Sequence, residues 1–514
     1  MKKYSILVLL LFITTIIQAQ VHKFSNQELT TLCKVWGVMK YYQPAVSQGE
    51  LDWDAVLIKT LEDSANQNVD DIITDWFSQV DKVSHKTIEP IKFDCESVMT
   101  CNYNMNWITK DKNIKKKNKA ELFNLTQNPK NIGVYYSNSG TENFKFESNN
   151  EKTYAISSNT LRVLDLFRIW NAIEYFYPYK YLLDQKWEKT LEEYIPLFKN
   201  CSSELEYKKL IMLLSAEIQD THVSFKETYQ YDVLGKLTAP FAVQIVDNGA
   251  VITKIKDDGI AKESHIEVGD FITKIDNESI QEIIKKSKKY FSVSNESVTK
   301  REAYNYLFSS NAAVFEIEGR KMNGTKFNTA VKRIERIFKD EWDADGIPDY
   351  DLLYKGKVYD YLVWNEKENR LNPVCQIDDK AYVEFASLQG KEIDSIMTSL
   401  QNAKGIVFDL RGYNGDGNLM RVFNYLFPSP QWYGIKTYSD FNQPGKFCFV
   451  DYIISEKYKL IGKDNPNYYK GQVVVLINEY SQSVAELWAM MFKKVSNVIF
   501  VGSQTAGADG IKLI

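Results

Sequence analysis

Histidine is the scarcest chemistry-bearing residue in this 514-residue chain, with four in all: His22, His85, His222 and His265. The six cysteines (Cys33, Cys95, Cys101, Cys201, Cys375 and Cys448) are too sparse for a disulfide scaffold. Only Cys95 and Cys101 lie close enough in sequence to suggest a pair in an oxidising compartment. No Cys/His spacing reads as a zinc site, so neither a metal nor a cofactor is expected. Net charge is only −4 and there is no basic block, which argues against nucleic acid as a partner. Long apolar runs are missing beyond the start of the chain. Lys2 and Lys3, then Ile6 to Ile17 and Ala19, read as a secretory leader over residues 1–19. That run is too short to span a bilayer, and no cysteine follows it to carry a lipid. The expectation is an exported protein (periplasm, cell envelope or secreted) with no stable membrane span.

Aromatics, by contrast, are abundant, with 32 Tyr and 27 Phe, enough to fill several cores. A chain of this length predicts about three or four domains. Ser25-Asn-Gln-Glu28 is a capping-box pattern, followed at helical spacing by Leu29, Leu32, Trp36 and Met39. Trp36, Pro44, Trp53 and Leu57 then recur as Trp170, Pro178, Trp187 and Leu191, at a constant offset. Two related helical units are expected, at 20–100 and 156–235. Their aromatics could line a substrate groove, but helical spacing favours core packing. Residues 101–155, rich in Asn, Lys and Ser, read as a polar β insertion or linker, with Lys115, Lys116 and Lys117 on a solvated face.

Glu341 to Asp349 alternates carboxylates before Gly346, as calcium loops do, but Leu352 stands where the bidentate glutamate belongs. A solvated acidic linker over 336–375 is the expectation, and no metal site.

Residues 376–514 show the βαβ pattern of an α/β core. Gly405-Ile-Val-Phe-Asp409 is an apolar strand breaking into the glycine-rich stretch Arg411–Gly417. Val473–Ile477 is a buried strand that meets a helix beginning near Ala485, and Val498–Gly502 is a third strand. Ser481 and Ser483 sit at the strand–helix turn, where either could cap the helix or face an oxyanion site as a nucleophile. His222 follows a helix carrying Tyr207, Leu210, Leu214 and Ile218, and precedes what reads as an alternating strand. A histidine there is either a helix C-terminal cap or a general base held by rigid elements.

Asp409-Leu-Arg-Gly, then Ser481-x-Ser-x-Ala-Glu486, then Val501-Gly-x-x-Thr-x-Gly507 resembles the core of the tail-specific (C-terminal processing) serine peptidases and the related tricorn core protease. The resemblance implies a multidomain α/β protein with a crotonase-like, ClpP-like peptidase core. It makes Ser483 the nucleophile, with the N–H groups of Val484 and Gly415 as oxyanion donors. Ser–Lys members carry lysine directly after Thr-x-Gly, whereas Ala508 stands here and Lys512 comes only later. The chain therefore resembles the tricorn-like Ser/His branch more closely. Asp220-Thr-His222 is similar to that branch's histidine segment, which implies His222 as base, with Thr221 as a candidate to orient the imidazole. Asp409 and Arg411 are expected to brace the glycine loop as a buried pair.

Residues 236–335 resemble a PDZ module, through Pro240–Ile245, Ala250–Ile255 and Ile266–Ile275, with Phe241 and Val243 placed to meet a peptide. The tricorn-like branch also uses an acidic residue well downstream of the nucleophile. This chain ends at Ile514, before that position, so the core reads as incomplete at its C-terminus. The function implied is an exported serine peptidase acting on peptides or proteins through an acyl-enzyme, with a PDZ-like module binding or gating substrate. The alternative is a catalytically inactive peptide- or apolar-ligand-binding protein on the same fold.

Overall fold

The computed structural model describes residues 24–63, 66–85, 97–99, 101–127, 133–138, 144–146, 158–223, 225, 227–336, 364–365, 370–434, 436–440, 442–450 and 460–508. The stretch 1–19 read as a leader, Cys95, the acidic stretch 341–349 and Lys512 lie outside them. The chain divides into two compact units: 1–218 with 435–451 and 510–514, and 219–434 with 452–509.

The first unit is built on the repeat. Helices α1 (Asn26–Tyr42), α2 (Trp53–Asp63) and α3 (Val69–Val80) are followed by α4 (Asn159–Phe176), α5 (Trp187–Asn200) and α6 (Glu204–Ala216) in the same order and spacing. The Ser25 capping box forms, with Glu28 N donating to Ser25 Oγ at 3.2 Å and Ser25 N to Glu28 Oε2 at 2.7 Å. Each repeat is locked by the same reciprocal pair. Trp36 Nε1 donates to Trp53 O at 3.2 Å and Trp53 Nε1 to Trp36 O at 3.0 Å. Trp170 and Trp187 exchange the equivalent bonds at 2.9 and 3.0 Å. Burying an indole requires a partner for its N–H, and the backbone carbonyl of the other tryptophan supplies it. These rings, with Tyr41, Tyr175 and Phe176, are core residues. Where α1 and α4 pack, Gly37 faces Asn171, whose Nδ2 donates to Cys33 O and Phe167 O. A Cβ on Gly37 would come within 1.8 Å of Asn171 Oδ1, so only glycine permits this approach.

The 101–155 stretch is more helical than its composition suggests. It contains helices Asn106–Lys110 and Lys116–Gln127 and a hairpin pairing Tyr136–Asn138 with Phe144–Phe146. The strands Lys436–Ser439 and Phe447–Val450, which fall inside the core region of the sequence, pair with each other, and the latter pairs with Ser97–Met99 in this first unit. Cys101 is a free thiol and Cys448 is disulfide-bonded, so the pairing of Cys95 with Cys101 read from their proximity does not form.

The second unit carries two sheets. One follows the order β5-β4-β3-β2-β1, built from β1 (Phe241–Val246), β2 (Gly249–Ile255), β3 (Phe271–Ile275), β4 (Val314–Arg320) and β5 (Lys326–Lys332), with the short strand Glu278–Ser279 joining β3. Helix α8 (Glu296–Phe308) packs on it through Ala303, Leu307 and Phe308. Among the described residues, helix α7 (Glu227–Leu234) lies between His222 and this sheet, where the sequence had suggested an alternating strand.

The other sheet has the order β6-β7-β8-β9-β10, from β6 (Val374–Ile377), β7 (Lys380–Glu384), β8 (Gly405–Asp409), β9 (Gln472–Ile477) and β10 (Val498–Gly502). All pairs are parallel except β6 with β7. Helices α9 (Ile393–Ser399) and α10 (Val484–Phe492) cover one face. Val383, Ile406, Phe408, Val473 and Val475 bury there against Trp488, Met491 and Phe492, with Phe408 and Phe492 rings 4.8 Å apart. Each such buried side chain contributes about 1.5–3 kcal/mol. The four parallel strands end together at Glu384, Asp409, Ile477 and Gly502, and parallel α/β sheets bind ligands beyond those ends.

Candidate active site

The turn between β9 and α10 has two serines with different surroundings. Ser481 is fully buried; its Oγ donates to Leu410 O at 2.9 Å and accepts from Asn478 N at 3.1 Å. That hydroxyl is committed to holding the turn against the end of β8. Ser483 is the N-cap of α10 and has φ +56° and ψ −119°, one of six non-glycine residues at positive φ among the described residues. That conformation is costly for a residue with a Cβ and survives only where the surroundings enforce it. A sharp strand-to-helix turn of this kind can lift a hydroxyl clear of a sheet. Val484 begins the helix, so its N–H has no intrahelical acceptor and lies at the positive end of the helix dipole.

Glu486 enforces the turn. It accepts from Ser483 N at 3.2 Å, from Gly507 N at 2.7 Å and from Ala508 N at 2.8 Å. Its carboxylate thereby ties the serine turn to the loop after β10. Gly507 takes φ +68°, a conformation that suits glycine.

The glycine-rich loop after β8 is pinned from both sides. Asn414 Nδ2 reaches the carbonyls of Phe385, Ala386 and Leu388 at 2.8–3.1 Å, and Asn414 O accepts from Trp488 Nε1 at 3.1 Å. Gly415 follows directly, beside α10. Asp409 is buried and accepts from Arg411 Nε and Nη2 (2.6–3.1 Å) and from the Tyr382 hydroxyl at 2.5 Å. A bidentate guanidinium fixes the direction in which the chain leaves the sheet.

His222 lies in the turn ahead of α7. Its Nδ1 is 2.9 Å from Asp220 Oδ1, which also accepts from His222 N at 2.8 Å. An ionised carboxylate can only accept, so Nδ1 carries the hydrogen, and in the neutral ring Nε2 then keeps its lone pair. Thr221, expected to orient the ring, instead pairs its hydroxyl with Ser294 Oγ at 3.0 Å. Asp220 takes the orienting place, and the signal for it, a carboxylate two residues before the histidine, was present in the sequence.

Phe241 is fully buried against Phe308 and Phe315, and its carbonyl accepts from the Tyr304 hydroxyl at 2.7 Å, so its side chain meets the core rather than a peptide. A bulge at Ala242/Val243 resets which residues of β1 face inward; Val243 packs partly buried on the same core.

A cavity of about 290 Å³ opens at the strand ends, lined by Gln244, Arg411, Asn478, Glu479, Gly502 and Ser503 among others. No group of His, Cys, Asp and Glu able to hold a metal occurs among the described residues.

Glu384 ends β7 in register with Asp409. Burial, followed by the Asp409 carboxylate among the raising influences, pushes the Glu384 carboxyl above its ordinary value. The folded state therefore holds this proton to higher pH than the unfolded chain, and stability falls as pH rises from the usual carboxylate range through the folded value. Glu384→Gln is expected to be more stable than the wild type at pH 7, with the difference vanishing below about pH 4. Urea melts of both proteins across pH check this; parallel pH curves would contradict it.

Residues 379–514 match Peptidase family S41. No curated protein matches the chain. Among solved structures it is similar to mature CPAF complexed with lactacystin, at 13% identity over 68% of this chain and 86% of that one, with a TM-score of 0.48. The photosystem II D1 C-terminal processing protease is similar at 15% identity, over 68% and 83%, with a TM-score of 0.30. The tricorn protease is similar at 14% identity, over 70% of this chain and 31% of that one, with a TM-score of 0.25. The match of residues 379–514 to Peptidase family S41 makes the chain that carries them a serine-type peptidase.

Proposed function

We propose that this is an exported serine peptidase of the Ser/His kind that cleaves peptide bonds through an acyl-enzyme. The observation that carries the reading is the backbone of Ser483, held at φ +56° and ψ −119° where β9 meets α10. Ser483 Oγ attacks the scissile carbonyl carbon while His222 Nε2 takes its proton. The N–H groups of Val484 and Gly415 receive the oxyanion. Collapse of the tetrahedral intermediate breaks the C–N bond, and His222 returns the proton to the leaving amine. Water, deprotonated by the same imidazole, then releases the acid and restores the serine. Asp220 holds the imidazole in its working tautomer and balances the imidazolium.

The sheet over 236–335 is read as a PDZ-like module, in which a substrate peptide adds to β1 at the end of the strand order. Its backbone, with Val243 and Gln244 rather than Phe241, is the surface offered. Export is supported by the leader pattern at 1–19 and by the disulfide at Cys448. No helix among the described residues is long and apolar enough to cross a membrane.

Incubation of the full chain with an unstructured protein, followed by mass spectrometry of new termini, tests the reading. Ser483-dependent cleavage is expected. Recovery of intact substrate bound to the protein would favour the binding-protein alternative.

A further inference from the structure

Ser483 and His222 lie far apart in sequence, and one segment touches both of their turns. Ser292 Oγ donates to Asp220 O at 2.8 Å and accepts from Asp220 N at 3.1 Å, and Ser294 Oγ meets Thr221 Oγ1 at 3.0 Å. This fixes the histidine turn at its backbone. The next residue, Asn295, caps α8, with its Oδ1 accepting from Val298 N at 3.2 Å. Its Nδ2 donates to Thr505 O at 2.8 Å and Ala506 O at 3.0 Å. Those carbonyls belong to the loop that Glu486 binds on its other side, one residue on. Arg301 on the same helix donates from Nη1 to Glu479 O at 2.8 Å and from Nη2 to Gln482 Oε1 at 3.1 Å. Helix α8 and its Asn295 cap therefore hold the turn before Ser483 and the loop after β10, while Ser292 and Ser294, just ahead of the helix, hold the chain at His222.

We infer that the 292–301 segment is the brace that sets the position of Ser483 relative to His222, with Asn295 and Arg301 as positioning residues. The inference rests on the serine-peptidase reading above. The physical reason is economy of links. A strained serine turn has several neighbouring conformations of similar energy, and a proton transfer requires one of them. Two donors on a rigid helix, both aimed at backbone or side-chain oxygens of the flanking loops, select that one. Neither residue needs to contact substrate. A helix cap alone would use Oδ1 of Asn295 and leave Nδ2 to solvent; here both Nδ2 bonds go to the loop after β10.

The test is Asn295→Asp, which keeps the capping oxygen and replaces the donor with an acceptor facing two carbonyls, and separately Arg301→Gln. Each is assayed in the full chain for peptide hydrolysis, for the rate of fluorophosphonate labelling, and for thermal stability. Both variants are expected to lower kcat and the labelling rate by about 100-fold, with KM within a few-fold of wild type. Asn295→Asp is expected to stay folded at the assay temperature, because the cap survives, and Asn295→Ser, which caps without presenting an anion to the carbonyls, should recover part of the rate. Unchanged labelling in both variants overturns the inference, as does a loss of rate that merely follows a loss of folded protein. Absence of labelling in the wild type overturns the peptidase reading itself, and the brace with it.

Discussion

Alanine at position 483 is expected to reduce peptide hydrolysis by about 10⁴–10⁶-fold, with substrate affinity little changed. The magnitude follows from covalent catalysis: without Oγ there is no acyl-enzyme, and what remains is the oxyanion site acting on attack by water. His222→Ala should cost nearly as much, and the double variant no more than Ser483→Ala alone, because residues that act as one unit lose their effect together. Stability is expected to move the other way for a different substitution. Glycine adopts φ +56°, ψ −119° without the Cβ penalty, so Ser483→Gly should be inactive yet more stable by about 1 kcal/mol, as read by urea denaturation. A gain of stability with loss of activity at one residue is the signature of strain held for function, which a serine that only capped a helix would not show. A cap serine exchanged for glycine loses a few tenths of a kcal/mol instead.

The second large effect is expected at Asp220. Asp220→Asn keeps an oxygen near His222 N and Nδ1 but removes the charge that balances the imidazolium and offers an amide as an alternative donor. The expected loss in kcat is about 10²–10⁴-fold, with KM and folding preserved. Steady-state kinetics on Asp220→Asn beside Thr221→Ala separates the two residues. Thr221 meets Ser294 rather than the ring, so its loss should cost about tenfold or less. Equal, large losses for both would return Thr221 to the orienting role read from the sequence.

The parts of the site that were legible in the sequence are those carried by short, contiguous patterns. The apolar run of β9, its break at Asn478 and the helix from Val484 locate the serine turn without any tertiary information. The recurrence of Trp36 and Trp53 as Trp170 and Trp187 showed the repeat, and the reciprocal indole–carbonyl bonds explain why those four residues recur together. What was illegible depends on distant partners. Asn295 reads as an ordinary helix cap until Thr505 and Ala506 are placed beside it. Lys436–Val450 reads as part of the core until Ser97–Met99 pairs with it. Phe241 reads as a peptide-facing residue until the bulge after it sets the face of β1. Asp220 is the instructive middle case: it stood two residues from His222 in plain view, but only the turn that folds its carboxylate back onto Nδ1 gives it the orienting place over its neighbour Thr221.

The most direct test of the central claim is labelling of the full chain with a fluorophosphonate probe, with the modified residue mapped by peptide mass spectrometry. Stoichiometric modification of Ser483 is expected in the wild type, none in Ser483→Ala, and a rate reduced by orders of magnitude in His222→Ala. A wild-type protein that takes no label, or one whose label stays when Ser483 is replaced, would contradict it.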